Sequence, residues 1–537
     1  MDLVVRNARI WTADPARPWA TALAASGGRI TAVGEDHDVA TPPGVTTIDA
    51  AGQFLMPGIV DSHNHVRLGS GDGAVQLGGA TTLAEVHARI DAWLDENPDA
   101  PWVMGEGFDY AVVPGGGHPR AEHLDGATRG RPAMLLDYSV HAAWFNREAL
   151  ERLGVGRGTT RVAYGTFETD PLTGDLTGYL QDYATYGLSR AGLAALQGLV
   201  PAFGVDAQYD RVRSGLRMAA RLGITTVVEP QNSLDDLALF QRARQDGELR
   251  SRVVAALFHP VGTADDELDE FAEAARWYSD DRFRVGPLKL YIDDIVEPHT
   301  AAMLEPYANR PDTRGRTYYE PTEFDALVAK LDARGFQCFV HATGDRGTQV
   351  VLDAFEHARR VNGARDSRHQ IVHVECLDAA DVPRFAELGV VACMQPRHCA
   401  PEIVGEWRAN VGPQRWRYAW PMHSLIASGA SVAFSSDWNV AEMDPLVGVY
   451  SALTRASLDG SESWVPEERI GLEAALRSYT AVGAWANFCD HDRGTLSPGR
   501  LADFVTLSND PFEVEPAALL ETRATMTVVG GEVVHGG

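Results

Sequence analysis

The sequence predicts an α/β protein built on a (β/α)8 barrel, TIM-like, with a small sheet unit formed by both chain ends. Three observations carry this. A helix, a glycine and a short apolar strand recur in series through the middle of the chain. Both termini read instead as short, β-branched strands. Polar groups suited to chemistry sit repeatedly in or just after the apolar strands, where barrel active sites lie. The number of repeated units favours a closed barrel over an open sheet.

In chain order, Leu3 to Thr12 opens as a strand, Gly27-Gly28 marks a turn, and Ile30 to Val33 follows. Val45 to Ile48 and Gln53-Phe54-Leu55 continue the pattern. At the other end Ala502 to Leu507 is a strand, and Thr525 to Val529 pairs with Glu532 to His535 around Gly530-Gly531. Residues 1–55 and 495–537 therefore form one unit, and 56–494 the barrel. Tyr209 to Leu222 has helical spacing, Gly223 stops it, and Ile224 to Val228 is a strand. The unit recurs as Phe324–Arg334, Gly335, Phe336–Val340, then as Ala379–Leu388, Gly389, Val390–Met394. It returns as Ser424–Ser428, Gly429, Ala430–Phe434. Residues of about 69 to 205 break the rhythm and read as an irregular, glycine-rich insertion after the first barrel strand. The tract Gly69 to Gly79 reads either as a lid or as a plain loop.

Composition narrows the function. Among 537 residues, 47 Lys+Arg face 74 Asp+Glu, a formal charge of -27. Nucleic acid and anionic membranes repel such a chain, so a small-molecule substrate is the expected partner. The five cysteines (Cys338, Cys376, Cys393, Cys399, Cys489) show no C-x-x-C spacing, against a disulfide framework or a thiolate zinc site. No apolar run reaches the ~18 residues of a membrane span, and the N-terminus lacks a signal-peptide pattern. A cytoplasmic, reducing location is expected.

The sharpest chemical signal is Met56-Pro57-Gly58-Ile59-Val60-Asp61-Ser62-His63-Asn64-His65. Residues two apart on a strand share a face, so His63 and His65 can grip one cation. The alternative is two surface histidines in a turn. His341, His373 and Asp437 repeat the placement at later strand ends. Each alone also reads as a structural histidine or, for Asp437, a helix cap before Trp438. Lys289 lies within the apolar run Gly286 to Ile292. Burial would favour its neutral amine, which can add carbon dioxide to become an anionic carbamate. The competing reading pairs it with Asp293, Asp294 or another carboxylate.

These segments resemble the amidohydrolase superfamily, within it amidohydrolase family 3, the branch of YtcJ-like and N-substituted formamide deformylase-like proteins. The likeness includes Trp102-Val103-Met104-Gly105-Glu106-Gly107-Phe108-Asp109, Arg131-Pro132 leading to His141-Ala142-Ala143-Trp144-Phe145-Asn146, and Asp170-Pro171-Leu172-Thr173-Gly174. Thr300 to Tyr307 and Gly494 to Asp503 extend it along nearly the whole chain.

The resemblance implies a metal-dependent hydrolase barrel with a composite β-sandwich from both termini. It implies two divalent metal ions per chain, zinc being the expected one. His63, His65 and Asp437 would hold the first and His341 and His373 the second, with a carboxylated Lys289 bridging. Asp437 would be the catalytic base, and an amide-type C–N bond (N-substituted formamide, N-acyl amine or cyclic amide) the target. A deaminase, an ester or lactone hydrolase, and more remotely a non-catalytic metal-binding regulator are the alternatives. His141 is a candidate substrate contact or a structural histidine; Trp102, Phe108, Trp144, Tyr291 and Trp438 are candidates for a pocket wall. Relatives are often dimers, so a homodimer is the assembly the resemblance implies. Val372, Asn439 and the pair Asp293-Asp294 depart from the branch's usual pattern without removing a ligand, so no relative's substrate transfers safely.

Overall fold

The computed structural model describes residues 2–68, 74–114, 117–138, 141–158, 161–162, 165–181 and 204–536. The start of the tract read as lid or loop, residues 69–73, lies outside them. Eight strands run parallel in chain order. They are β1 (Ile59–Asp61), β2 (Ile224–Asn232), β3 (Arg252–Phe258) and β4 (Phe283–Tyr291). They continue as β5 (Cys338–Ala342), β6 (Gln370–His373), β7 (Val391–Met394) and β8 (Ser431–Phe434). β2 and β3 are buried at every residue, as a strand covered on both faces must be. The first and last strands are drawn together at their C-terminal ends, so the barrel nearly closes. Ser62 N–H donates to Phe434 O at 3.2 Å, Asp437 N–H to His63 O at 2.8 Å, and His65 N–H to Trp438 O at 2.7 Å.

The four helix-stopping glycines do what the sequence requires of them. Gly223, Gly335, Gly389 and Gly429 adopt φ of +81°, +84°, +69° and +89°. They follow helices Val205–Arg221, Pro321–Ala333, Val382–Leu388 and Met422–Ala427. A residue without Cβ turns the chain here at no steric cost. Gly223 has a second reason, since a Cβ there would meet Val505 Cγ2 at 2.8 Å.

The chain ends supply two sheets. One orders Arg29–Gly34, Ala22–Ser26, Leu3–Arg6 and Thr46–Asp49. The other orders Glu532–Gly536, Ala524–Val529, Phe504–Leu507, Phe54–Pro57, Arg9–Trp11 and Trp19–Ala20. Leu3, Val5, Leu23 and Ile30 of the first share one core with Ile10, Leu55, Phe504 and Val528 of the second. The single opening strand expected over Leu3 to Thr12 is two strands. Asn7, at φ 52°, breaks it, and its halves join different sheets. Buried Arg252 of β3 clamps this unit through two bonds to the Asp503 carboxylate, at 2.7 and 2.9 Å.

A second compact unit comprises residues 67–214 and 260–262. Where it is described, it is not irregular, as its sequence suggested. It carries a seven-stranded sheet in the order Arg161–Val162, Gly165–Thr169, Leu176–Gln181, Ala143–Phe145, Ala133–Asp137, Val103–Phe108, Val75–Gln76. Three of these strands have only two or three residues, too few for a visible period, and glycines at positive φ (Gly107, Gly178) interrupt the two six-residue ones. Helix Leu83–Glu96 starts at Thr82, whose side chain accepts from Glu85 N–H, and it buries Val86, Ile90 and Leu94. Among the described residues no helix is long and apolar enough to cross a membrane.

Candidate metal centre

Asp61 ends β1 and anchors the loop beyond it. Its carboxylate accepts from Ser436 N–H (2.9 Å), Ser436 O–H (2.6 Å) and Asn64 Nδ2 (2.8 Å), locking the ends of β1 and β8 together. Burial pushes its carboxyl up to about 6. From this anchor, His63, His65 and Asp437 converge. His63 Nε2 and His65 Nε2 are 3.2 Å apart, and Asp437 Oδ1 lies 3.1 and 3.2 Å from them. Two donors ~2.05 Å from one tetrahedral ion lie ~3.3 Å apart, so this triangle fits a single cation such as zinc. All three residues are buried. Burial, then Lys289, pushes His63 down to about 3, leaving it in the neutral form that ligates. Burial resists ionisation of Asp437, but His63, His65 and His373 outweigh it and hold the carboxyl well below the usual range. Asp437 and His373 both have left-handed backbones, φ 55° and 81°, a strain that this packing maintains.

His373 is oriented from behind. Gln395 Nε2 donates to Ser435 Oγ at 2.9 Å, so its Oε1 is the acceptor facing His373 Nδ1 at 3.0 Å. His373 therefore carries its hydrogen on Nδ1 and its lone pair on Nε2, the arrangement expected of a metal-binding imidazole. Its ring centroid is 4.4 Å from that of His341. His341 stacks on Tyr291 at 4.6 Å, and its Nε2 lies 3.3 Å from Asp294 O.

Lys289 is fully buried, with Nζ 4.8 Å from the Tyr291 ring centroid and 5.4 Å from that of Phe339. Nζ has no hydrogen-bond partner among the described residues. The alternative pairing with Asp293 or Asp294 does not occur. Asp293 accepts main-chain N–H groups of Ala302, Thr343 and Gly344 at 2.9, 3.1 and 3.0 Å. Asp294 accepts from Ile295 N–H and Tyr318 O–H. Burial alone pushes the amine down to about 7.

Trp102, Phe108 and Trp144 lie in the second unit. They are 3%, 0% and 0% exposed and sit in the second unit's apolar cores, with Trp144 Nε1 spent on Arg120 O. His141 is half-buried in that same unit. Tyr291 supports His341 and donates to Gln231 Oε1 at 2.7 Å. Trp438 is buried beside Asp437, and Asp437 caps no helix.

Three residues escaped the sequence reading. Glu229 is buried at strand level in β2, 3.8 Å from His65 Nδ1. It shows the signal that singled out Lys289, a charge inside an apolar run. Gln395 and His398 follow β7. Their pattern, Gln395-Pro396-Arg397-His398 beyond an apolar strand, matches the strand-end rule applied elsewhere.

Known proteins bear on this geometry. A model of the amidohydrolase family matches residues 46–535. The Arabidopsis thaliana protein LONG AFTER FAR-RED 3 is 28% identical, over 99% of this chain and 91% of its own. The N-substituted formamide deformylase of Arthrobacter pascens is 25% identical, over 99% of this chain and 97% of its own. An uncharacterized metal-dependent hydrolase from Pyrococcus furiosus shares the fold at TM-score 0.73 and 24% identity, covering 96% of this chain and all 100% of that one. With nearly all of its length matched and its histidines gathered at the barrel mouth, this chain belongs to the amidohydrolase family.

Proposed function

We propose that the chain is a metal-dependent hydrolase of amide-type C–N bonds, with Asp437 as its proton carrier. The split surroundings of the Asp437 carboxylate carry this reading. Oδ1 closes the triangle with His63 and His65, while Oδ2 faces away from it. His63, His65 and Asp437 would hold one divalent ion, and His341 and His373 the second. The ions would supply Lewis acidity, lowering the pKa of a water and polarising the acyl oxygen. Imidazole and carboxylate donors suit zinc. Lys289, neutral and unpartnered, would add carbon dioxide with loss of one proton, giving a carbamate between the two ion positions. Asp437, held ionised, takes the proton of the attacking water and delivers it to the leaving nitrogen.

The similarity to an N-substituted formamide deformylase supports screening formamides first, followed by N-acyl amines and cyclic amides. Asp437→Asn keeps the donor oxygen but loses the proton acceptor. It is expected to lower kcat about a thousandfold while keeping most of the metal. Undiminished turnover by this variant would refute the assigned base.

A further inference from the structure

Oδ2 of Asp437 has its own neighbours, His373 Nδ1 at 3.7 Å and His398 Nε2 at 3.8 Å. These three residues could be taken for another metal site. His373 Nδ1, however, spends its hydrogen on Gln395 and offers no lone pair toward Oδ2. His398 is left as a group of different use. It sits in the turn Pro396–Cys399 after β7, its N–H donating to Gln395 O at 3.1 Å. Arg397 braces that turn, bonded at 2.8 Å to both Glu402 and Glu442. His398 is 8% exposed, and of its ring nitrogens only Nε2 is both sealed from solvent and without a hydrogen-bond partner. Nε2 faces the gap, and beside an Oδ2 that has taken up a proton the tautomer with its hydrogen on Nδ1 presents a lone pair there.

The 3.8 Å gap is too wide for a direct bond, and one atom set to the side of the line can lie about 2.8 Å from both groups. Once Asp437 holds the water's proton, Oδ2–H is a donor and Nε2 an acceptor. The atom between them must then accept one hydrogen bond and donate another. A pyramidal nitrogen bearing a hydrogen does both. A planar amide nitrogen has no lone pair to accept with, and an ester oxygen or a disubstituted nitrogen has no hydrogen to give.

We infer that His398 contacts the leaving nitrogen as the tetrahedral intermediate forms. The site thereby selects amides whose scissile nitrogen carries a hydrogen over N,N-disubstituted amides and esters. This rests on the hydrolase reading above. The electron accounting is simple. The water oxygen bonds to the acyl carbon, and the carbonyl π pair moves to its oxygen. That pair then re-forms the carbonyl as the C–N pair leaves with nitrogen, which takes the proton from Asp437 and keeps its own N–H on His398.

The test compares formanilide, N-methylformanilide and phenyl formate with the metal-loaded wild type, His398→Phe and His398→Gln. The wild type should prefer formanilide. His398→Phe should lower kcat on formanilide by at least about tenfold, with KM, metal content and N-methylformanilide turnover nearly unchanged. His398→Gln, whose amide oxygen can accept, should recover part of the loss. Equal wild-type turnover of the two anilides, an unaltered kcat in His398→Phe, or loss of metal from it would overturn the inference. Should the wild type cleave none of the three, the amide reading fails while His398 is still read by calorimetry. Methylphosphonamidate, a tetrahedral N–H compound, should bind the wild type at least about tenfold more tightly than its N,N-dimethyl derivative, with the difference lost in His398→Phe. Equal binding by the wild type would refute the contact.

Discussion

Lys289 shows how a single residue can be legible in type and ambiguous in partner. A lysine inside an apolar strand announces itself, but only the fold shows that Asp293 and Asp294 are occupied by main-chain N–H groups and a tyrosine. The amine is left alone, at about 7 in the folded protein against about 10.4 unfolded. Between these values the unfolded chain binds the extra proton, so stability rises with pH across that window. For metal-free protein, the thermal midpoint of the wild type relative to Lys289→Met should climb from pH 7 to pH 10. A difference that stays flat over that range would place a charged, paired lysine there. His63, His65 and Asp437 were legible because each follows an apolar strand within a few residues. Glu229, Gln395 and His398 carried similar signals, but what sets them apart from structural residues is a neighbour brought by tertiary structure: His65, His373 and Asp437.

At the scale of elements, the glycine stops were readable because the left-handed turn is a local demand. Their costs differ for a reason that is not local. Around Gly335 a Cβ would meet nothing within 4 Å, whereas at Gly223 it would strike Val505. Gly335→Ala should therefore lose only the conformational preference, about 1 kcal/mol, and Gly223→Ala distinctly more. Chemical denaturation reads both, and equal losses would contradict the packing assigned to Val505. The second unit's sheet was hidden for the opposite reason. Its edge strands, Val75–Gln76 and Arg161–Val162, contain two residues each, too few to express alternation.

For the whole molecule, the serial helix, glycine and strand pattern disclosed the barrel, and the β-branched ends disclosed the terminal sheets. What the sequence could not disclose is that the ends of β1 and β8 are bolted together by Asp61 and Ser436, so that residues 63, 65 and 437 become neighbours. The proposed function has this closure build a two-ion centre that Lys289 completes. Metal content per chain is its most direct test, by elemental mass analysis of protein purified without chelators or affinity metal. Two zinc equivalents in the wild type, falling in Lys289→Ala, are the predicted result. No bound metal, and no uptake on adding zinc, manganese or iron, would contradict it.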